Sequence, residues 1–98
     1  MPSMKTATLR RLHDLRGIGP RMLDDFNRLG IRSVPELARR NPLELYRALC
    51  NLTGERQDPC VYDTFRCAIA QARNPDLPPA QRNWWYWSAV RKSEDVQL

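Results

Sequence analysis

An all-α fold built around five main helices follows from three observations on this 98-residue sequence. Apolar residues recur at helical spacing through most of it, and no segment alternates with period two. Capping residues and prolines open each apolar stripe, and glycine or proline closes it. The length suits one core, since a chain of this size buries roughly 60 to 70% of its unfolded surface.

Each element is legible in turn. Thr6 to Leu15 puts Leu9, Leu12 and Leu15 on one stripe and predicts a first helix. Pro20 to Leu29 follows, with Met22, Leu23, Phe26 and Leu29 facing one way and Gly30 as its C-terminal cap. Ser33-Val34-Pro35-Glu36 reads as a capping box opening a short helix to Arg39 or Arg40 that buries Val34, Leu37 and Ala38. Asn41-Pro42-Leu43-Glu44 opens the fourth helix, to about Leu52, with Leu45, Leu49 and Leu52 toward the core. After a polar loop around Gly54, Asp58-Pro59 caps a longer helix to about Arg73 whose stripe is Val61, Phe65, Ala68, Ile69 and Ala72. Asn74 to Pro79 reads as a stiff extended link. Beyond it stand Trp84-Trp85-Tyr86-Trp87 and a polar end. The expected domain spans residues 1–90 with the aromatic segment docked on it, and residues 91–98 form a flexible tail.

Composition bounds the function. No apolar run approaches the ~20 residues that span a bilayer, so a soluble, cytoplasmic protein without membrane contact is expected. The acid-free, cationic first 13 residues fit an organelle-targeting helix as well as a first core helix, and their leucine stripe favours the core. The net charge of +5 lies entirely in residues 1–50, where ten Lys and Arg face five acids, while residues 51–98 carry six of each. That is the footprint of a polyanion binder. A solvated surface with Arg21–Asp25 and Asp24–Arg28 pairs at i, i+4 would account for the same residues.

The turn Arg16-Gly17-Ile18-Gly19-Pro20-Arg21 concentrates this charge. Two glycines around one apolar residue allow positive φ and close approach, and Pro20 suits a first helical position. Unpaired amides at the start of the next helix, flanked by Arg16 and Arg21, make an anion site suited to phosphate. Other chemistry is poorly served. Cys50, Cys60 and Cys67 contain no Cys-x-x-Cys pair, and His13 lies far from them, so buried thiols and no metal or cofactor are expected. With one histidine and no nucleophile or paired carboxylates beside it, the protein is not expected to be an enzyme.

Leu12-x-x-Leu15-x-Gly17-Ile18-Gly19-Pro20-Arg21, continued by Leu29-Gly30-Ile31-Arg32-Ser33-Val34-x-Glu36-Leu37-Ala38, resembles the helix-hairpin-helix DNA-binding families. The continuation is similar to the N-terminal domains of RecA-like recombinases. Leu45-Tyr46, Leu49-Cys50, Asp58-x-Cys60-Val61, Phe65-Arg66-Cys67-Ala68 and Trp84-Trp85-x-Trp87 resemble, more narrowly, the bacterial pathogenicity locus or Cdd1-like family, some members of which carry a mitomycin-resistance label. The resemblance covers roughly residues 9–88. It implies a helix-hairpin-helix pair (SAM-like) with one good hairpin and one degenerate one at residues 52–58. It further implies that the amides of Gly17, Ile18 and Gly19 donate to DNA phosphates, that Arg21 adds a charged contact and that Ile18 packs inward. Such contacts read backbone shape rather than bases, which makes the expected function sequence-independent DNA binding in repair, recombination or competence. The alternative is a protein-interaction adaptor or homodimer using the hairpin or the tryptophans. Trp84, Trp85 and Trp87 are expected first to cover the bundle, with a partner surface next and a base-stacking platform last.

Overall fold

Among the described residues, proline stands in the first turn of four of five α-helices, where its missing N–H would have had no partner in any case. The computed structural model describes residues 10–98, and among them every regular element is helical. The α-helices are α1 (Pro20–Arg28), α2 (Val34–Ala38), α3 (Pro42–Thr53), α4 (Pro59–Arg73) and α5 (Trp84–Glu94), with single 3₁₀ turns at Leu12–Asp14 and Pro79–Arg82. The fold is therefore all-α, as the sequence predicts.

Local chemistry sets the helix starts. Ser33 Oγ accepts the Glu36 N–H at 3.2 Å, Asn41 Oδ1 accepts those of Leu43 and Glu44 at 2.9 and 3.1 Å, and Asp58 Oδ1 accepts that of Cys60 at 2.8 Å. Each bond satisfies an amide that the helix itself cannot. The capping box at Ser33 closes one residue early, since Glu36 Oε1 accepts the Arg32 N–H at 3.0 Å. At the other end of α1, Gly30 takes φ +78°, which lets Ile31 N–H reach Phe26 O at 2.8 Å and Gly30 N–H reach Asn27 O at 3.1 Å. Both carbonyls are thereby paired, and Phe26 and Ile31 enter the core together.

α4 is the central element, packed against α2, α3 and α5. Neighbours on several sides explain why Tyr62, Asp63, Cys67 and Gln71 are buried along with the expected Phe65, Ala68, Ile69 and Ala72. Phe65 meets Phe26 of α1 with ring centroids 5.8 Å apart. Arg73 at the end of α4 donates to Ala38 O at 2.8 Å and Arg40 O at 3.1 Å, closing the C-terminus of α2.

Several expectations change. The helix predicted over Thr6 to Leu15 falls partly outside the described residues, and the part within them is only the 3₁₀ turn, although Leu12 and Leu15 are buried as predicted. Among the described residues there are five α-helices because the aromatic segment supplies one. Leu52 is 57% exposed, not buried. The buried face of α3 is Leu45, Tyr46 and Leu49, and at 100° per residue Leu52 lies roughly 70° from its centre, in the last turn. The proline-rich link is not simply extended, since Leu77 is buried and Arg82 Nε donates back to Leu77 O at 2.7 Å. Finally, α5 runs past residue 90 to Glu94, and Val96 and Leu98 rest against the core.

Candidate functional site

The turn between the first 3₁₀ element and α1 is extended at Leu15, left-handed at Gly17 and extended again at Gly19. Gly17 has φ +86°, which glycine alone takes without strain, whereas Gly19, at φ −99°, does not need to be glycine for its conformation. A Cβ at either position would meet no atom within 4 Å, so the outer face of the turn is open. Ile18 is buried in the core between them and anchors the turn. Its N–H faces Leu15 O at 3.4 Å, so of the three amides expected to point outward this one is directed inward. Gly17 and Gly19 N–H have no partner among the described residues, and the first intrahelical bond of α1 is made by Leu23 N–H to Gly19 O.

A buried amide holds the turn from behind. Gln71 of α4 accepts the Arg16 N–H at 2.9 Å through Oε1 and donates Nε2–H to Arg16 O at 3.0 Å, pairing as one peptide group pairs with another. Its second N–H approaches Cys67 Sγ at 3.5 Å, and burial pushes that thiol up to about 11. Arg10 donates to the Gln71 and Ala72 carbonyls at 3.0 and 3.2 Å, placing a cation on the last turn of α4. Neither Gln71 nor Arg10 stands out in the sequence. The available signal was a neutral polar residue at i+3 from Ala68, beside an otherwise apolar stripe.

Arg16 and Arg21 are exposed and make no ion pair among the described residues. Of the two intrahelical pairs expected, Asp24–Arg28 forms at 3.2 Å and Arg21–Asp25 does not. Asp25 instead turns inward and is 9% exposed. Burial pushes its carboxyl above the usual range, against the opposing pull of Arg21 and Arg28.

The turn opens onto a groove of about 350 Å³ walled by α1, the first half of α4 and the start of α5. Gly17, Gly19, Arg21, Asp25, Val61 and Trp84 line it, so two features far apart in the sequence share one surface. The remaining tryptophans do not join them. Trp85 is 58% exposed and sets its ring edge-on to Trp84 at 6.0 Å. Trp87 faces another side, where its Nε1–H donates to Gln81 O at 2.8 Å and Arg66 lies 5.1 Å from its ring. Core packing thus describes Trp87 in part and fails for Trp84 and Trp85, because four consecutive helical residues point in four directions.

Arg91, expected in the tail, fixes α5 in place. Its Nε donates to Asp63 Oδ1 at 2.9 Å, and Asp63 is fully buried on α4 with its other oxygen unpartnered among the described residues. Arg66 adds an ion pair to Glu94 at 3.0 Å and a cation–π contact to Trp87.

Fold and turn together define a small all-α domain that presents two open glycine amides and two exposed arginines on one edge, beside an exposed tryptophan. The family model described as pathogenicity locus, Cdd1, matches residues 5–93, and the chain belongs to that family. It is similar to the mitomycin resistance protein McrB of Streptomyces lavendulae, at 37% identity over 81 residues that span 83% of this chain and 73% of that protein. No solved structure matches it.

Proposed function

We propose that the protein is a non-enzymatic, cytoplasmic DNA-binding module that holds phosphates on the turn around Gly17 and Gly19, as in a helix-hairpin-helix. The observation that carries this reading is the open turn itself. Two amides and two arginines without partners among the described residues meet there, the amides standing between the arginines in a turn that Gln71 clamps in one orientation. Anions are favoured there by the amides, by the start of α1 and by charge. The contacts of the turn involve no base edge, so its binding is independent of sequence and serves repair, recombination or competence in an accessory role.

Salt tests the reading directly. Two phosphates neutralised by Arg16 and Arg21 give a slope near −1.8 in log affinity against log salt, a loss of roughly 12-fold between ~50 and ~200 mM. Gly19→Asp is the discriminating variant. The position is extended, accommodates a side chain and caps a helix, so aspartate should hold or raise stability while placing a negative charge where phosphate sits. Fluorescence anisotropy with a labelled duplex should show loss of binding for Gly19→Asp and Arg21→Glu without a fall in melting temperature. Absence of wild-type binding at ~50 mM salt, or indifference to Gly19→Asp, overturns the reading.

The second reading is an interaction adaptor or homodimer, favoured by the exposure of Trp84, Trp85 and Tyr86 along one helix. Association through those rings would persist at high salt and be lost on Trp85→Ala.

A further inference from the structure

We propose that the groove beside the turn receives a single unstacked nucleotide of the DNA strand, with its phosphate on Gly17, Gly19 and Arg21, its base against Trp84 and an N–H of the base on Asp25. This rests on the DNA-binding reading and deepens it by naming what the site selects.

The groove offers three kinds of group in the order a nucleotide needs. The anion-binding end is the turn, with its two open amides and Arg21. Asp25 lies six residues beyond Gly19, on the order of 9 Å further along α1 by helical rise. Asp25 is 9% exposed as a residue, lines the groove and accepts no side-chain hydrogen bond among the described residues. A carboxylate so placed would repel a second phosphate and calls for a donor. Amino groups on C, A and G supply one, as in carboxylate recognition of the cytosine N4 amine. Trp84, 39% exposed, provides a flat apolar face, and the edge-on ring of Trp85 braces it from outside.

Size and shape exclude a paired base. A groove of about 350 Å³ has the volume of a small-molecule site, too little for a duplex, and a base inside a duplex stack presents no face to Trp84. Only an extrahelical or single-stranded nucleotide meets the turn, Trp84 and Asp25 together.

The test compares three labelled duplexes of one sequence, fully paired, with one bulged adenine and with an abasic bulge, all bound by the full chain. Stacking predicts that the adenine bulge binds roughly 5- to 150-fold more tightly than the paired duplex, with quenching of tryptophan fluorescence. The abasic bulge should lose that gain. Trp84→Ala should bring the ratio of bulged to paired affinity to about one, and Trp84→Phe should restore part of it. Equal affinity for bulged and paired duplex, or an unchanged ratio in Trp84→Ala, overturns this inference while leaving phosphate binding by the turn intact. Failure of every duplex to bind at ~50 mM salt overturns both.

Discussion

Removing the Gln71 amide should loosen the turn without touching its surface. Gln71→Met keeps the length and volume of the side chain and deletes both bonds to Arg16, now 2.9 and 3.0 Å long. At about 1 kcal/mol net for each, the loss is about 2 kcal/mol. For a domain of this size that corresponds to a fall in melting temperature of about 8 to 16 °C. Thermal unfolding followed by circular dichroism measures the fall, and hydrogen exchange at the Arg16 amide reports the clamp itself, with protection lost in the variant. Gln71→Glu sharpens the test. Its carboxylate still accepts the Arg16 N–H, but it sets an oxygen against Arg16 O and buries a charge. Burial raises the glutamate pKa in the folded state, so the penalty is full at neutral pH and is relieved as pH falls through that raised value toward the unfolded value of about 4.3. Below it, the protonated acid donates to Arg16 O as glutamine does. A melting temperature for Gln71→Met within about 3 °C of wild type, or undiminished protection at Arg16, would refute the clamp.

Two further perturbations probe the frame around the site. Arg91→Met should cost about 3 to 5 kcal/mol, because it leaves Asp63 buried without a counter-charge, and Asp63→Leu in the same chain should recover most of that. Urea midpoints measure both, and a double variant no more stable than the single would remove Asp63 as the cause. Asp58→Ala should lower the melting temperature at pH 7. The Cys60 N–H holds the Asp58 carboxyl below its ordinary 3.8, so the stability this cap contributes is present above that value and lost as pH falls through the depressed one. Melting curves of the two proteins should therefore converge in acid, and a gap that persists at pH 2 would contradict the assignment.

What could be read from the sequence was what depends on neighbours in the chain. Ser33, Asn41 and Asp58 cap helices that begin one residue later, and α1 ends at Gly30 through bonds that Gly30 donates three residues back and Ile31 five. Each of these acts within a single helical turn, so residue type and spacing decide it. The open turn belongs to the same class, since Gly17, Gly19 and Pro20 set its shape locally. Gln71 and Arg10 belong to another. Their partners are 55 to 62 residues away, and nothing in the pattern around either residue says which backbone group it will meet.

The tryptophan block shows why a compositional argument for burial fails on a helix. Treated as one apolar unit, Trp84 to Trp87 should cover the bundle, since their exposure carries a large hydrophobic cost. A helix separates them by 100° each, so a single contact with α4 can take one face only. Trp87 occupies that contact through Gln81 and Arg66, and this leaves Trp84 at the groove and Trp85 in solvent. The position of Trp84 is therefore set from the far end of its helix, by the Arg91–Asp63 and Arg66–Glu94 pairs. A tail residue and a buried carboxylate on α4, neither of which touches the groove, thus determine whether the aromatic wall stands beside the turn.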